Sequence, residues 1–231
     1  MRGVGSADPG SEGPGFAGAG AGTRAVIFDL WETLIDWDQE AAARMVERID
    51  ALAGPGFRER WYRSPNRYIA PVRAVLAEVG VPDDVMDDVC EIRLDYVRHC
   101  LVPREGAVET LRELRRRGFL VGLITVCSQD VETLWPESLF AGLFDAEVFS
   151  SSLGISKPDP RIYRHCCELL GVESQAAVFV GDGANDELGG AERVGMRAIL
   201  IHKPGEEPMW EEARTFTGPR VTSIPGVLAL V

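Results

Sequence analysis

The chain has 231 residues, of which 45% are hydrophobic and 26% are charged, a balance typical of one globular domain or of a core domain with a smaller insert. Its formal net charge is −12. This charge argues against a nucleic-acid-binding protein, which would carry a basic face, whereas a phosphorylated small molecule stays compatible with it because local positive charge can outweigh a diffuse acidic surface.

The first 22 residues consist mostly of Gly, Ala, Pro and Ser. This composition predicts a disordered arm, and it contains no apolar segment like the core of a signal peptide. The five cysteines lack metal-ligand spacing, and an odd number without a secretion signal favours a reducing cytoplasm. We therefore expect a cytoplasmic protein that acts on a small molecule as a monomer or homodimer. We expect no nucleic-acid or membrane partner, because no apolar run reaches the roughly 20 residues that cross a bilayer.

The first predicted strand covers residues 24–30 and contains an apolar, β-branched run that stops at Asp29. Helical periodicity follows, with no convincing strand among the helices, and Asp38 is the predicted N-cap of the first helix. The predicted helices of this region cover residues 38–53, 65–79 and 82–101. The sequence thus predicts an all-helical insert at residues 37–103.

Strands and helices alternate from residue 103 onward. The predicted strands cover residues 119–126, 146–151, 177–180 and 197–201, and the predicted helices cover residues 108–117, 130–134, 159–170 and 186–194. Repeated β-α units indicate a parallel sheet with right-handed crossovers. We predict an α/β fold, a Rossmann-like doubly wound parallel sheet built from residues 23–36 and 104–231, into which the helical domain is inserted.

Three acidic residues follow two of the predicted strands. Asp29 ends the run VIF, and Asp182 and Asp186 lie in VFVGDGANDE. The carboxyl ends of parallel strands meet at one edge of a sheet, where ligands bind, so these carboxylates should converge. Carboxylates so gathered repel one another unless a cation lies between them. The sequence therefore predicts a site for a hard, oxygen-binding metal such as Mg²⁺.

Four short motifs, in this order along the chain, resemble those of the haloacid dehalogenase-like (HAD) hydrolase superfamily. The first is DLWET, beginning at Asp29, and the second is the strand GLIT, ending at Thr125. The third is GISKPDPRIY, which contains Lys157, and the fourth is GDGANDE, which contains Asp182 and Asp186. A helical insert between the first two motifs is similar to the small helical cap of the dehalogenase and β-phosphoglucomutase branch.

The resemblance implies a reaction and a metal. In such enzymes the first aspartate, here Asp29, attacks phosphorus and forms an aspartyl phosphate, which splits one hard displacement into two steps. Mg²⁺ neutralises charge and orients the phosphoryl group. Trp31 would contribute only its backbone carbonyl to the metal. The implied metal ligands are Asp29, Trp31, Asp182 and Asp186.

The resemblance also implies residues that contact the substrate. The Thr125 hydroxyl and the Lys157 ammonium would bind phosphoryl oxygens as negative charge builds on them. Thr33 would brace the nucleophile loop, and Asn185 would orient the acidic loop or Lys157. Trp31 stands beside the nucleophile, where it packs against the insert, contacts the substrate, or does both.

Trp31 is also where the sequence departs from the phosphatase pattern. Most phosphatases of the superfamily have a second Asp there, which protonates the leaving group, and an indole cannot do this. Losing such a group costs about 10²–10⁴-fold in rate, and we expect the neighbouring Glu32 to point away. Dehalogenases of the superfamily carry an aromatic residue at this position and need no metal, so a 2-haloacid dehalogenase is the alternative. A weakly catalytic or non-catalytic binding protein is a third reading.

One group of residues in the insert combines aromatic and basic side chains. Such side chains suit a pocket for an anionic substrate, but helix packing with arginines that extend to solvent is the more common role and the one we favour. The group consists of Trp37, Trp61, Tyr62, Arg63, Arg67 and Tyr68.

Overall fold

The structure is a computed structural model and describes residues 22–231. The predicted disordered arm, residues 1–22, lies outside the described residues apart from Gly22. In the part of the chain that is described, no helix is long and apolar enough to cross a membrane.

A six-stranded, all-parallel sheet forms the centre of the molecule, with strand order β3-β2-β1-β4-β5-β6. Its central strands are apolar and buried on both faces, as expected where helices cover a parallel sheet on both sides. The predicted doubly wound α/β fold is confirmed. The strands are β1 (Ala25–Phe28), β2 (Leu120–Thr125), β3 (Ala146–Phe149), β4 (Ala177–Gly181), β5 (Arg197–Ile201) and β6 (Arg220–Val221).

Ten α-helices accompany these strands in residues 22–231. The helices that lie between β1 and β2 are α1 (Gln39–Ala53), α2 (Phe57–Arg63), α3 (Val72–Glu78) and α4 (Met86–Cys100). The helices that follow are α5 (Ala107–Arg116), α6 (Gln129–Leu134), α7 (Ser150–Leu153), α8 (Pro160–Leu170), α9 (Glu187–Arg193) and α10 (Glu211–Thr215). Short 3-10 turns connect several of them, and one, Ile224–Ala229, lies near the C-terminus.

The helical insert, residues Gln39–Cys100, is built around its own apolar cluster, which includes Ile49, Phe57, Trp61 and Leu76. Two further apolar clusters cover the two faces of the sheet. The predicted boundaries at residues 37 and 103 bracket these helices. Asp38 caps α1 as predicted, since its Oδ1 accepts a hydrogen bond of 2.8 Å from the Ala41 N–H.

The helix predicted at residues 65–79 is wrong in its first half. The chain forms α2 before this range, directly after the left-handed Gly56, and then runs as a loop from Ser64 to Pro71 before α3 begins. Pro65 and Pro71 restrict the residues before them to extended backbone, so the loop replaces the first turns of the predicted helix. The two-residue edge strand β6 was also absent from the prediction.

A buried ion pair joins the helical insert to the sheet domain. Arg93 of α4 donates from Nε and Nη2 to Oδ2 of Asp130 in α6, at 3.0 and 2.6 Å. Nη2 also donates to the Ser128 hydroxyl at 3.1 Å, and the guanidinium stacks on Trp61 with its carbon 3.8 Å from the ring centroid. This contact fixes α4 beside the carboxyl end of β2.

Candidate active site

Asp29 occupies the first position after β1, at the carboxyl edge of the sheet. Its N–H donates to the Val180 carbonyl of β4 at 2.9 Å, which continues the sheet ladder and fixes the residue. Its side chain is only 5% exposed. Oδ1 accepts a hydrogen bond from Lys157, whereas Oδ2 is buried and has no partner among the described residues. A buried carboxylate oxygen without a partner is costly, and here it points to a site that a ligand completes.

Lys157 lies between two carboxylates. Its Nζ is 2.5 Å from Oδ1 of Asp29 and 2.5 Å from Oε2 of Glu187. Burial disfavours the charged ammonium, but the charges of Asp29 and Glu187 outweigh burial and raise the pKa of Lys157 above its usual value. The side chain is therefore a permanent cation in a buried site, which suits a group that binds phosphoryl oxygens.

Asp29, Asp182 and Glu187 form an acidic cluster, in which one carboxylate oxygen of each lies within 4.8 Å of the others. Burial, followed by the charge of Asp29, raises the pKa of Asp182 to about 6. Burial is also the main cause that raises the pKa of Glu187, with added repulsion from Asp29 and Asp182. Burial is thus the main reason that the charged forms of both carboxylates are disfavoured, and the neighbouring acidic charges add to it.

The acidic cluster differs from the predicted one in a single member, since Glu187 is present and Asp186 is not. Asn185 and Asp186 have left-handed backbone angles, with φ of 51° and 55°. This turn directs the Asp186 carboxylate to the surface, where it pairs with Arg193 at 2.7 Å. Glu187 is fully buried, and its Oε1 accepts a hydrogen bond from the Gly183 N–H at 3.0 Å.

Gly181 makes room for the Glu187 side chain. A Cβ at this position would overlap the Glu187 carboxylate, so only glycine allows the carboxylate to lie against the end of β4. The Tyr163 hydroxyl of α8 holds the same residue, since it donates to the Glu187 carbonyl at 2.8 Å. Sequence reasoning missed Glu187, although an acidic residue directly after GDGAND was the available signal.

Asp182 is held by a residue that the sequence did not indicate. The indole N–H of Trp210 donates to Oδ2 of Asp182 at 2.7 Å, and the Ala184 N–H donates to Oδ1 at 3.1 Å. Trp210 is half-buried and directly precedes α10. This helix packs on the acidic loop so closely that a Cβ at Gly183 would overlap Ala213.

Two threonines predicted for the site are buried. One lies in the loop after Asp29, and the other lies at the end of a strand. Thr125 ends β2 and Thr33 lies four residues after Asp29, and both are fully buried. The hydroxyl oxygen of each has no hydrogen-bond partner among the described residues. Asn185, in contrast, is exposed. Its left-handed φ shapes the acidic loop, and no hydrogen bond of its side chain occurs within residues 22–231.

Glu32 lies in the loop after Asp29 and helps to hold the shape of that loop. Glu32 has a left-handed φ of 56°, an unusual value for a residue other than glycine, and its carboxylate accepts a hydrogen bond from the Trp37 N–H at 2.5 Å. The carboxylate also pairs with Lys203 at 3.3 Å. Arg104 donates to the Glu32 carbonyl at 2.7 Å and holds the loop from the other side. Glu32 thus holds the loop in place, which agrees with the expectation that its side chain points away from the site.

Trp31 is half-buried and packs against the apolar cluster on one face of the sheet.

Comparison with known proteins identifies the family. Residues 23–195 match the model of the haloacid dehalogenase-like hydrolases. The chain belongs to this family. The predicted resemblance is thereby confirmed, and the protein is a HAD-like hydrolase.

Its relatives include both phosphatases and a dehalogenase. A phosphatase from Mycobacterium tuberculosis is 31% identical over 196 residues, which cover 79% of this chain and 88% of that protein. An (S)-2-haloacid dehalogenase from Burkholderia cepacia is 33% identical over 108 residues, 46% of each chain. The crystal structure of a HAD phosphatase from Thermococcus onnurineus superposes with a TM-score of 0.69, at 20% identity, and covers 90% of this chain and 99% of that one. The last comparison supports the fold alone.

The acidic cluster of this HAD-like hydrolase fits a divalent metal ion. Three carboxylates converge, and one of them, that of Asp29, has a buried oxygen, Oδ2, with no hydrogen-bond partner among the described residues. Carboxylate oxygens are the ligands that Mg²⁺ prefers. Burial, and to a lesser degree the neighbouring acidic charges, raise the pKa of Asp182 and Glu187, and a bound cation would favour their charged forms. The donor set contains neither a thiolate nor an imidazole, so it favours Mg²⁺ over zinc.

Proposed function

We propose that this HAD-like hydrolase catalyses the Mg²⁺-dependent hydrolysis of a small phosphorylated metabolite through an aspartyl phosphate on Asp29. The acidic cluster carries the proposal. Asp29, Asp182 and Glu187 are brought together, and Lys157 is the one cation that pairs with them within residues 22–231. Three carboxylates this close repel one another, and a bound metal ion would offset the repulsion. The cluster therefore favours a metal-dependent hydrolase over one that needs no metal.

The reaction begins at Asp29. A carboxylate oxygen of Asp29 forms a bond to phosphorus, while the bond from phosphorus to the leaving oxygen breaks and its electron pair departs with that oxygen. Water then attacks phosphorus, so that inorganic phosphate forms and the Asp29 carboxylate is restored. Mg²⁺, held by Asp29, the Trp31 carbonyl, Asp182 and Glu187, would supply positive charge that offsets the charge of the phosphoryl group.

Lys157 and Thr125 bind the phosphoryl oxygens. The Lys157 ammonium is buried next to the nucleophile, where a charge-assisted hydrogen bond is strong because little water competes for it. The Thr125 hydroxyl is buried and makes no geometric hydrogen bond within the described residues. Both groups are fixed before the substrate arrives, so their stabilisation of developing charge costs little reorganisation.

The leaving group must depart without help from an acid at residue 31. The Trp31 side chain has no proton to give at neutral pH, and the Glu32 carboxylate is already bound by the Trp37 N–H and Lys203. Since a positioned acid contributes about 10²–10⁴-fold, we propose that the substrate has a good leaving group, such as an acyl phosphate or an activated ester, or that turnover is slow.

The second candidate is a 2-haloacid dehalogenase, in which Asp29 attacks carbon and halide leaves without protonation. The aromatic residue at position 31 and the dehalogenase relative from Burkholderia cepacia favour it. The acidic cluster opposes it, because a reaction without metal leaves the three carboxylates of the cluster with Lys157 as their one cation among the described residues. Trp31 equally favours the third candidate, a HAD-fold protein that binds a ligand with little catalysis.

A cytoplasmic location belongs to the same proposal. All five cysteines are free thiols, four of them buried, which suits a reducing compartment. We propose that the protein acts there as a monomer or homodimer, and that its partner is the small-molecule substrate.

Hydrolysis of p-nitrophenyl phosphate tests the proposed function, because this ester has an activated leaving group. We expect turnover with Mg²⁺, none with excess EDTA, and none in the Asp29→Asn variant. Turnover in excess EDTA would overturn the metal-dependent mechanism. If p-nitrophenyl phosphate is not hydrolysed but chloride is released from 2-chloropropionate, the protein is a dehalogenase. If neither reaction occurs, the binding protein is favoured.

A further inference from the structure

The loop between α2 and α3 lies over the edge of the sheet that carries Asp29. The Ser150 hydroxyl, directly after β3, donates to the Tyr68 carbonyl of this loop at 2.6 Å, and it accepts a hydrogen bond from the Cys127 N–H at 3.0 Å. The Val72 N–H at the end of the loop donates to Oε1 of Gln129 at 3.1 Å. The loop is therefore fixed to the carboxyl ends of β2 and β3.

Arg67 is held rigidly within this loop. Its Nη1 donates to the carbonyls of Tyr62 and Ser64 at 2.9 and 3.0 Å. The guanidinium also lies over two aromatic rings, with its carbon 5.6 Å from the Tyr62 centroid and 4.8 Å from the Tyr68 centroid. Hydrogen bonds at one end and rings beside it leave the guanidinium little freedom to turn.

The other edge of this guanidinium has no partner. Nε is buried and makes no hydrogen bond, and Nη2 makes none with any residue between 22 and 231. No carboxylate of the described chain pairs with Arg67 either. Nε and Nη2 form the fork that binds a carboxylate with two parallel hydrogen bonds, as Arg116 shows by directing the same two atoms at the two carboxylate oxygens of Glu113. The Arg67 guanidinium is therefore a fixed cation whose Nε and Nη2 could bind an anionic ligand.

We propose that Arg67 binds a carboxylate group of the substrate, so that the substrates are phosphate esters or anhydrides of small carboxylic acids. The inference rests on the proposed phosphatase function. The rings of Tyr62 and Tyr68 lie beside the guanidinium, and such flat surfaces favour a planar group, which a carboxylate is and a phosphate is not. β1 and β3 are separated by β2 alone, so Ser150, where the loop is attached, lies about 10 Å along the sheet edge from the end of β1 that carries Asp29. Small acids of two to five carbons span this distance.

Competitive inhibition of p-nitrophenyl phosphate hydrolysis tests the proposal. The probes are carboxyalkyl phosphates with two to five carbons, beginning with 2-phosphoglycolate, and alkyl phosphates of the same lengths without the carboxylate. In the wild type, the best carboxyalkyl phosphate should bind at least about tenfold more tightly than its alkyl partner, the effect of a hydrogen bond to a charged group. The Arg67→Gln variant should lose this difference, so that both series inhibit it equally.

Arg60→Gln is the matched control. Arg60 also donates to backbone carbonyls within the insert, those of Val79 and Pro55 at 2.7 and 2.5 Å, but its Nε is already engaged. This variant should reproduce any loss of packing and preserve the preference for the carboxylate. Equal inhibition by both series in the wild type, or a preference that survives Arg67→Gln, would overturn the role of Arg67. Absence of Mg²⁺-dependent turnover in the wild type would instead overturn the proposed function.

Discussion

The indole nitrogen of Trp210 lies 2.7 Å from a carboxylate oxygen of Asp182, a residue 28 positions earlier in the chain. This hydrogen bond connects the C-terminal part of the molecule to the acidic cluster. Lys203, earlier in the same segment, pairs with Glu32 and Asp36 at 3.3 and 3.1 Å. One segment thus holds both the loop that follows Asp29 and the loop that contains Asp182.

Loss of the Trp210 hydrogen bond should weaken Mg²⁺ binding. Groups that orient metal ligands typically contribute 10–100-fold to affinity, so we expect Trp210→Phe to raise the Kd for Mg²⁺ about tenfold, as measured by isothermal titration calorimetry. Trp37→Phe is the matched control, because Trp37 does not contact the acidic cluster, and it should leave the Kd unchanged. An unchanged Kd in Trp210→Phe would show that Asp182 needs no such support.

Replacement by the neutral amide should reduce Mg²⁺ binding and kcat at Glu187 but not at its neighbour Asp186. Glu187→Gln removes a charge from the acidic cluster. Because Glu187 is a proposed metal ligand, we expect this variant to abolish detectable Mg²⁺ binding and to reduce kcat at least about 100-fold. Asp186→Asn breaks only the exposed pair with Arg193, a change of about 0–1 kcal/mol in stability. Its kcat and Mg²⁺ affinity should stay near those of the wild type. Loss of Mg²⁺ binding in Asp186→Asn but not in Glu187→Gln would instead favour Asp186 as the metal ligand.

Trp31→Asp should supply the missing acid–base group. If protonation of the leaving group limits the wild type, this variant should hydrolyse unactivated alkyl phosphates at least about 100-fold faster and change p-nitrophenyl phosphate hydrolysis far less. Steady-state rates with both kinds of ester measure the effect. Unchanged alkyl phosphate hydrolysis in a folded, Mg²⁺-binding variant would show that Trp31 is not the cause of slow chemistry.

The ion pair of Arg93 and Asp130 should matter for folding. The two side chains are 6% and 2% exposed, and removing one member of a buried pair costs about 3–5 kcal/mol. We expect Arg93→Met to lower the free energy of urea unfolding by about this amount, and Asp130→Leu in the same chain to recover much of the loss. A cost of less than about 1 kcal/mol for Arg93→Met would mean that the pair is not a significant link between insert and sheet domain.

The sequence predicted the sheet and the positions of the main site residues because both depend on local patterns. An apolar run that ends in an acid identifies a buried strand and its carboxyl end, which is how Asp29 and Asp182 were found. Lys157 and Thr125 came from their motifs, and the structure brings Lys157 against Asp29.

What the sequence could not predict depends on backbone angles and long-range packing. The choice between Asp186 and Glu187 is made by two consecutive left-handed residues, and the amino-acid types of Asn185 and Asp186 permit such a turn without requiring it. Trp210 carries no periodic or motif signal, and only the packing of α10 on the acidic loop brings it to Asp182. Helix α2 was missed because GPG at residues 54–56 indicates a break but not how soon the next helix begins.

Direct detection of a phosphorylated Asp29 is the measurement closest to the central claim. The protein is mixed rapidly with p-nitrophenyl phosphate and Mg²⁺, quenched in acid within the first turnover, digested, and analysed by mass spectrometry. We predict that the peptide containing Asp29 gains the mass of one phosphoryl group, and that this gain disappears when EDTA is present or when the substrate is omitted. Rapid turnover with Mg²⁺ and no phosphoryl group on Asp29 at any quench time would contradict the account.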